Sequence, residues 1–338
     1  MECRIFHVDA FTDRLFAGNP ACVVLLDEWL PDGLLLSIAA ENGLPETAFI
    51  RRGAARPGES GDAGGASGAD DAGGHDAPEA PGWSIRWFTP DIEMDLCGHA
   101  TLAAAHVVLA ELGETGPVRF ASASGELGVE PVDGLYALDF PRRPPEPATL
   151  PREIAESLNV QPKAVFKARD YILEYATEAE VRSLAPDRSL MDRINLDPGG
   201  VVATAPADPG RRGTASADFV SRFFTPQATI FEDPVTGSAH CSLVPFWAGR
   251  LGKRDLVALQ LSARGGRLAC HDGADRVRIA GAALTFSSGS LRLGAWHDVR
   301  DHSGAAGVAG VADADGSRGA EGAGGAGGAR GAGAAQGR

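Results

Sequence analysis

The sequence predicts an α+β fold made of two similar halves, each a curved sheet wrapped around one central helix. The main reason is an internal repeat: RWFTP at 86–90 recurs as RFFTP at 222–226, and a glycine that begins an apolar helix follows each copy. The first of these helices is apolar on nearly every side, which is typical of a helix buried all round. Strand-like segments fill much of the remaining chain, so strands are expected to predominate.

Short runs rich in β-branched or aromatic residues predict the strands. These runs lie at 22–26, 47–51, 84–88, 135–140 and 199–203. Residues 32–42 instead place Leu35, Ile38 and Ala39 at helical spacing and end at Asn42-Gly43, a combination that stops helices. A helix is therefore predicted over 32–42.

The repeated glycines predict two helices of equal length. Gly98 begins one that closes at Leu112-Gly113, and Gly237 begins one that closes at Leu251-Gly252, so that each spans 15 residues. A helix amino terminus presents unpaired N–H groups and a partial positive charge. If the two halves face each other, both termini meet in one cleft, which suits the carboxylate of a small acid.

Composition and charge exclude several classes of protein. The 338 residues are 44% hydrophobic and 22% charged, as in ordinary globular proteins, and the net charge of −14 would repel nucleic acid. The amino terminus does not resemble a signal peptide, and no run of 18 apolar residues occurs, so we expect a cytoplasmic protein that does not enter membranes. Five scattered cysteines without a Cys-x-x-Cys spacing argue against disulfide scaffolds and zinc sites.

Two segments lack the residues needed to form a core. Residues 53–82 contain nine glycines and no valine, leucine, isoleucine or aromatic residue, and 303–338 contain 13 glycines and 12 alanines. Such segments bury too little apolar surface to offset the entropy cost of ordering. We predict a disordered surface insertion and a disordered tail, which leave about 270 residues for two domains.

Several polar residues stand where chemistry is possible, although each has a structural explanation too. Glu46 lies between a helix stop and an apolar strand, where it is either a solvated turn residue or an acid/base against apolar neighbours. His99 begins the first helix, and Asp233 precedes Pro234 as a turn residue or as a site residue. Ser238 lies in the first turn of the second helix, with Thr236 or Gly237 as N-cap.

Four motifs, in this order, resemble the PhzF (phenazine biosynthesis) family of isomerases. They are VDAFT with FAGNPACVV at 8–24, LPETAF at 44–49, LCGHATL at 96–102 and EDPVTGSAH at 232–240. The resemblance covers about residues 1–295. The segment from 218 to 266 is more similar to PhzF-like proteins of unassigned substrate than to the phenazine-pathway enzyme.

The resemblance implies the diaminopimelate-epimerase-like fold, in which each of two domains wraps a central helix. We expect an N-terminal domain at 1–125, carrying the insertion at 53–82 and joined by a final strand at 286–300. The C-terminal domain is expected at 126–285, followed by the tail at 303–338. A homodimer is also implied by the family.

The resemblance also implies the roles of the site residues. Glu46, His99 and Asp233 match the catalytic positions. The matching substrate-binding positions are Asn19, Gly98, Gly237 and Ser238. In the phenazine enzyme a proton moves between ring carbons of trans-2,3-dihydro-3-hydroxyanthranilate. Here we expect a proton shift on a small acidic metabolite, with neither a metal nor an organic cofactor.

Two other functions remain open on the same fold. Epimerases and racemases with this fold use two facing cysteines; Cys97 occupies the first thiol position, but the second falls near Asp233-Pro234. Such an enzyme would have to pair Glu46 with Cys97. The other alternative is a catalytically silent binding protein. Pro45, before the glutamate, replaces a commoner small polar residue, and this departure does not obviously disable the site.

Overall fold

The computed structural model describes residues 1–53, 82–196, 199–211, 213 and 216–294. The predicted insertion at 53–82, apart from its two end residues, and the predicted tail at 303–338 lie outside the described residues. Residues 295–300 of the predicted final strand lie outside them as well. Strands predominate in the described part of the chain, as the sequence predicts.

Eighteen strands form one connected mixed sheet within these ranges. The first nine are β1 (Glu2–Ala10), β2 (Asn19–Leu26), β3 (Glu46–Arg52), β4 (Trp83–Phe88), β5 (Glu93–Met94), β6 (Val118–Ser122), β7 (Gly125–Val132), β8 (Leu135–Pro141) and β9 (Glu146–Pro147). The others are β10 (Ala164–Lys167), β11 (Tyr171–Glu174), β12 (Val201–Pro206), β13 (Phe219–Phe224), β14 (Glu232–Asp233), β15 (Asp255–Gln260), β16 (Gly266–Asp272), β17 (Arg276–Gly281) and β18 (Ala283–Arg292).

Six α-helices accompany the sheet. They are α1 (Asp32–Asn42), α2 (Gly98–His106), α3 (Arg152–Ser157), α4 (Glu178–Ser183), α5 (Arg188–Met191) and α6 (His240–Leu251), and α2 continues as a π-helical turn (Val107–Glu111). No helix among the described residues has both the length and the apolar character needed to cross a membrane.

Helix α1 matches its prediction residue for residue. Leu35, Ile38 and Ala39 form its buried face, which packs on the outer side of β2 and β3. Gly43 ends the helix in the left-handed conformation, with φ of 61°, and its N–H donates to the Ala39 carbonyl oxygen at 3.2 Å. Glycine takes this conformation without a steric cost, which explains the stop.

Helix α2 is enclosed by strands, as its apolar sequence predicts. All nine of its residues are buried, and it contacts β1, β2, β3, β8 and β18. Strand β18 pairs antiparallel with β1, so the last described strand adds to the strands around α2. It begins at Ala283, three residues before the predicted start at 286.

Helix α6 is the counterpart of α2, and it contacts β15, β16 and β17. Pro245 lies inside it and has no N–H to donate to the Cys241 carbonyl oxygen, which accepts instead from the Arg143 N–H at 2.9 Å. The strand ladders pass from β6 through β7 and β8 to β17. Hydrogen bonding is thus continuous across residue 125, where the two domains are predicted to meet.

The internal repeat forms two equivalent hairpins. In the first, Arg86 binds both carboxylate oxygens of Glu93, at 2.7 and 2.6 Å. In the second, Arg222 binds both carboxylate oxygens of Glu232, at 2.7 and 2.8 Å. Each hairpin turns at a Thr-Pro pair, and the threonine N–H closes both turns. The arginine that begins each sequence repeat is therefore a structural residue.

The starts of the two central segments touch each other. A Cβ atom on Gly98 would lie 3.6 Å from the Gly237 Cα atom and 3.2 Å from the Phe140 ring. A Cβ atom on Gly237 would lie 3.5 Å from the Phe11 ring. Phenylalanine rings from β8 and from the end of β1 thus support the junction, and glycine keeps the two backbones close.

The predicted start of the second helix is wrong by three residues. Helix α6 begins at His240, and Gly237, Ser238 and Ala239 form a turn in which His240 and Cys241 donate to the carbonyl oxygens three residues earlier. Ser238 therefore precedes the helix, and Ala239 occupies the N-cap position that was predicted for Thr236 or Gly237. The tighter turn lets the chain approach Gly98 before the helix begins.

We expect Gly98→Ala to destabilise the protein by about 1 kcal/mol or more, because the new methyl group crowds the Phe140 ring and the facing backbone. Gly249→Ala is the matched control: Gly249 is an exposed residue of α6 with nothing within 4 Å of its Cβ position, so alanine should stabilise by about 0.5–1 kcal/mol. Urea denaturation measures both. Equal effects at the two positions would contradict the tight junction.

Candidate active site

A cavity of about 380 Å³ lies at the junction of Gly98 and Gly237. Six of the seven predicted site residues line it, namely Glu46, Gly98, His99, Asp233, Gly237 and Ser238. The two Thr-Pro hairpins contribute Thr89, Pro90, Thr225 and Pro226 to its wall. The sequence repeat thus surrounds the cavity with equivalent elements from both halves of the chain.

Glu46 and His99 form a close pair in this cavity. The Glu46 Oε2 atom lies 3.0 Å from the His99 Nε2 atom, and their side chains are 15% and 4% exposed. The two atoms are not aligned for a hydrogen bond, and neither has a hydrogen-bond partner among the described residues. The two atoms are nevertheless close enough to form an ion pair when His99 is protonated, and both residues line the cavity.

The protonation of His99 depends on its two neighbours. Burial by itself lowers the pKa of His99, but Cys97 and Glu46 outweigh burial and hold this pKa well above its ordinary value. Burial also raises the pKa of the Cys97 thiol to about 11, so the thiol is uncharged at neutral pH. The Glu46 carboxylate is therefore the charge that favours a protonated His99, while the Cys97 sulfur contacts the His99 Nδ1 atom at 3.4 Å.

Asp233 is held by hydrogen bonds to both carboxylate oxygens. Its Oδ1 atom accepts from the Asn19 Nδ2 atom at 2.8 Å, and its Oδ2 atom accepts from the Thr236 hydroxyl. Burial raises the pKa of Asp233, and the negative charge of Glu46 acts in the same direction; His99 and the two hydrogen bonds oppose this rise without cancelling it.

Asn19 does not line the cavity, contrary to its predicted substrate-binding role. It is fully buried at the start of β2, where its Nδ2 atom donates to Asp233 and, at 2.8 Å, to the Val235 carbonyl oxygen. Asn19 therefore supports Asp233 from behind. The motif that contains it is a structural connection between the two halves.

Backbone N–H groups supply the positive end of the cavity. Within the described residues, the amides of Gly98, His99, Gly237 and Ser238 donate no hydrogen bond to the protein. All four residues line the cavity, two at the start of α2 and two just before α6. Unpaired N–H groups near a helix start are groups of the kind that bind anions.

The side chains of Glu46, Cys97 and His99 lie close enough to share a metal ion, with ligand atoms within 4.8 Å of one another. Their arrangement does not suit one ion, because Glu46 faces the Nε2 atom of His99 whereas Cys97 faces the Nδ1 atom. One ion binds only one of these nitrogens. The geometry thus fits proton transfer better than metal binding.

The two hairpins also touch each other beside the cavity. Thr229 donates from its hydroxyl to Asp91 Oδ1 at 2.8 Å and from its N–H to Asp91 Oδ2 at 3.2 Å. Both residues are exposed, and their neighbours Pro90, Ile92 and Ala228 line the cavity. The two halves of the chain are therefore hydrogen-bonded at the rim as well as at the glycine junction.

Sequence reasoning did not identify Gln260, Arg169 or Asp170. Arg169 and Asp170 line the cavity from the turn before β11, and no motif indicated them. Gln260 is 1% exposed behind the loop that carries Asp233. Leu256, Ala258 and Gln260 alternate as the inward residues of β15, so a glutamine in an apolar series was a usable signal.

His240 is a second buried histidine near the site. Its Nδ1 atom is 2.8 Å from the Thr236 carbonyl oxygen, and its Nε2 atom has no hydrogen-bond partner in the described part of the chain. Burial lowers the pKa of His240 to about 4, so the ring is neutral near pH 7 and donates through Nδ1.

Comparison with known proteins agrees with this architecture. Residues 8–289 match the family described as phenazine biosynthesis-like protein, PhzC-PhzF. The chain belongs to this family. An uncharacterized isomerase of Pseudomonas aeruginosa is 44% identical over 294 residues, which are 87% of this chain and 100% of that protein.

Solved structures extend the comparison to the fold. A PhzF family protein of Enterococcus faecalis has a TM-score of 0.72 and 38% identity, covering 87% of this chain and 100% of its own. A hydroxyproline epimerase from Agrobacterium vitis, with trans-4-hydroxy-L-proline bound, has a TM-score of 0.52 and 10% identity, covering 86% and 92%. The second likeness shows a shared fold only.

The neutral His240 should make stability fall in acid. Unfolded histidine takes up a proton near pH 6.5, whereas folded His240 does so only near pH 4, so lowering the pH between these values favours the unfolded state. This loss should reach about 3 kcal/mol. In His240→Asn the side-chain amide can still donate to the Thr236 carbonyl oxygen but takes up no proton. Urea denaturation measures the free energy of unfolding, which should fall by this amount more in wild type than in the variant between pH 7 and pH 4. A difference that is constant with pH would rule out a neutral His240.

Proposed function

We propose that this chain is a cofactor-independent isomerase that shifts a proton on a small carboxylate-bearing substrate, with Glu46 as general acid and base. The close Glu46–His99 pair carries this proposal, because both residues line the cavity, their Oε2 and Nε2 atoms lie 3.0 Å apart, and the Glu46 carboxylate favours the charged imidazole. The names of the relatives support isomerase chemistry in general.

Substrate binding would begin at the amide groups. The unpaired N–H groups of Gly98, Gly237 and Ser238 can hold a carboxylate, and the partial positive charge of α2 adds to the attraction. This binding would place the rest of the molecule along the apolar wall of the cavity, between Phe223 and Met94. The carbon next to the carboxylate would then face Glu46.

Glu46 would then remove a proton from a carbon next to an electron-withdrawing group. The C–H bond breaks, the carboxylate oxygen gains the proton, and the electron pair delocalises into the conjugated system of the substrate. Return of a proton from Glu46 to another carbon forms a new C–H bond and restores the Glu46 carboxylate. Exchange of the Glu46 proton with solvent before this return introduces solvent hydrogen into the substrate. The positive charge of His99 would stabilise the carboxylate before and after each transfer.

His99 and Asp233 would orient the polar substituents of the substrate. Asp233 accepts hydrogen bonds from Asn19 and Thr236, which fix the carboxylate plane at the cavity wall. A fixed carboxylate can select one orientation of a substrate that carries a hydroxyl or amino group. Such positioning matters because Glu46 must reach two different carbons in turn.

An epimerase or racemase that uses Glu46 and Cys97 as opposed bases has less support. Cys97 lines the cavity, but the residue is only 5% exposed, and its thiol contacts the His99 ring and has a pKa of about 11. A thiol with so high a pKa supplies little thiolate near pH 7. A silent binding protein would not need the Glu46–His99 pair. The small acidic substrate, a cytoplasmic location and a homodimer belong to this proposal as well.

The test is exchange of a substrate proton with solvent. Wild type, Glu46→Gln and Cys97→Ala are incubated in D₂O with small unsaturated carboxylic acids that bear a hydroxyl or amino group, and mass spectrometry detects deuterium uptake. We expect Glu46→Gln to lower the rate by about 10²–10⁴-fold, because the variant lacks the base. Cys97→Ala should keep the rate within about tenfold of wild type.

The two variants separate the candidate functions. A comparable loss of exchange in both variants would favour the epimerase or racemase. Unchanged exchange in Glu46→Gln would overturn the proposed mechanism. Binding of the same acids without exchange in wild type would favour the binding protein.

A further inference from the structure

Gln260, at the end of β15, connects three polar groups of the loop that carries Asp233. Its Oε1 atom accepts from the Thr236 N–H at 2.9 Å. Its Nε2 atom donates to the Asp233 carbonyl oxygen at 2.7 Å and to the Thr236 hydroxyl oxygen at 3.2 Å. The side chain is buried, so these contacts are not shared with bulk water.

The backbone determines the orientation of the Gln260 amide. A backbone N–H can only donate and a carbonyl oxygen can only accept, so the Thr236 N–H requires Oε1 and the Asp233 carbonyl requires Nε2. Turning the amide over would create two buried mismatches. The Thr236 hydroxyl oxygen therefore receives a hydrogen bond from Gln260, and its own proton points to the Asp233 Oδ2 atom.

Asn19 acts in the same way on the other carboxylate oxygen. Its Nδ2 atom donates to the Val235 carbonyl oxygen at 2.8 Å, which fixes the orientation of this amide as well. The second hydrogen of Nδ2 then points to Asp233 Oδ1 at 2.8 Å. The Asn19 amide nitrogen can only donate, and the Thr236 hydroxyl, which accepts from Gln260, has Asp233 Oδ2 as the acceptor of its own proton within the described part of the chain.

We infer that Gln260 and Asn19 are positioning residues that keep Asp233 a hydrogen-bond acceptor, by fixing the direction of the hydrogen bonds that reach its two carboxylate oxygens. Gln260 acts through the Thr236 hydroxyl, whereas Asn19 acts directly. The value of this arrangement for catalysis rests on the proposed function, but the direction of the hydrogen bonds does not.

The arrangement counteracts the surroundings of Asp233. Burial and the Glu46 charge favour a protonated Asp233, which would offer a donor to the cavity and hold a proton beside the Glu46–His99 pair. Two fixed donors stabilise the ionised form instead. A substrate group that meets Asp233 then finds an acceptor, and the mobile proton of the site stays with Glu46 and His99.

The inference is tested by following the titration of Asp233 itself, without any substrate. The protein is labelled with ¹³C at aspartate side-chain carboxyl groups, and Asp233→Asn identifies the signal. In Thr236→Val, which has the same shape without the hydroxyl, the titration midpoint of Asp233 should rise by about one pH unit. Thr236→Ser keeps the hydroxyl and should leave the midpoint at its wild-type value.

Variants of Gln260 and Ser262 separate the effect of hydrogen-bond direction at Asp233 from the effect of general support for the loop that carries Asp233. Gln260→Met removes the donor at similar length and should also raise the midpoint by about one pH unit. Ser262→Ala is the matched control: its hydroxyl donates to the Pro234 carbonyl oxygen at 2.8 Å in the same loop without touching the Asp233 carboxylate, so the midpoint should not change. Circular dichroism checks that each variant is folded, and the Thr236 pair decides the test if Gln260→Met does not fold.

An unchanged midpoint in Thr236→Val, or an equal rise in Thr236→Ser, would overturn the inference. Neither result bears on whether Glu46 is the base, which the deuterium exchange of Glu46→Gln measures separately. A raised midpoint combined with full exchange in Glu46→Gln would refute the proposed function and leave the inference standing.

Discussion

The contact between Gly98 and Gly237 is the constraint on which the site depends. Because Gly98 and Gly237 carry no side chains, the start of α2 and the turn before α6 lie in contact beside one cavity, which the residues of both segments line. Phe11 and Phe140 hold this contact from either side, each coming from a strand of a different half. Packing therefore brings four residues with unpaired N–H groups, among those described, to one cavity.

Charge balance in the cavity follows from that backbone arrangement. Two carboxylates, Glu46 and Asp233, share the region with one imidazole, and their repulsion is offset by His99 and by the helix termini. Each carboxylate is treated differently: Asp233 is fully engaged by the protein, whereas Glu46 faces His99 without an aligned hydrogen bond. Under the proposed function, the fixed carboxylate would serve recognition, and the other would serve proton transfer.

Local patterns predicted much of this structure, whereas contacts between distant segments were harder to predict. Helix 32–42 has both its apolar spacing and its stop within eleven residues, and the Thr-Pro repeat shows the two equivalent hairpins. The start of α6 was misplaced because the local sequence at 237–239 is compatible both with a three-residue turn and with the first turn of a helix. Asn19 was misassigned, and Gln260 missed, because their partners lie 214 and about 25 residues away.

Pro245 illustrates how a main-chain hydrogen bond from another segment replaces one that a helix lacks. Its ring leaves the Cys241 carbonyl oxygen without a helical donor, and the N–H of residue 143 fills that place. The anchor is made only of main-chain atoms, so a substitution of the side chain at 143 would leave this hydrogen bond in place. Proline is the exception, since it lacks the N–H. Such an anchor depends on the position of the backbone and not on a particular side chain, so no sequence motif reveals it.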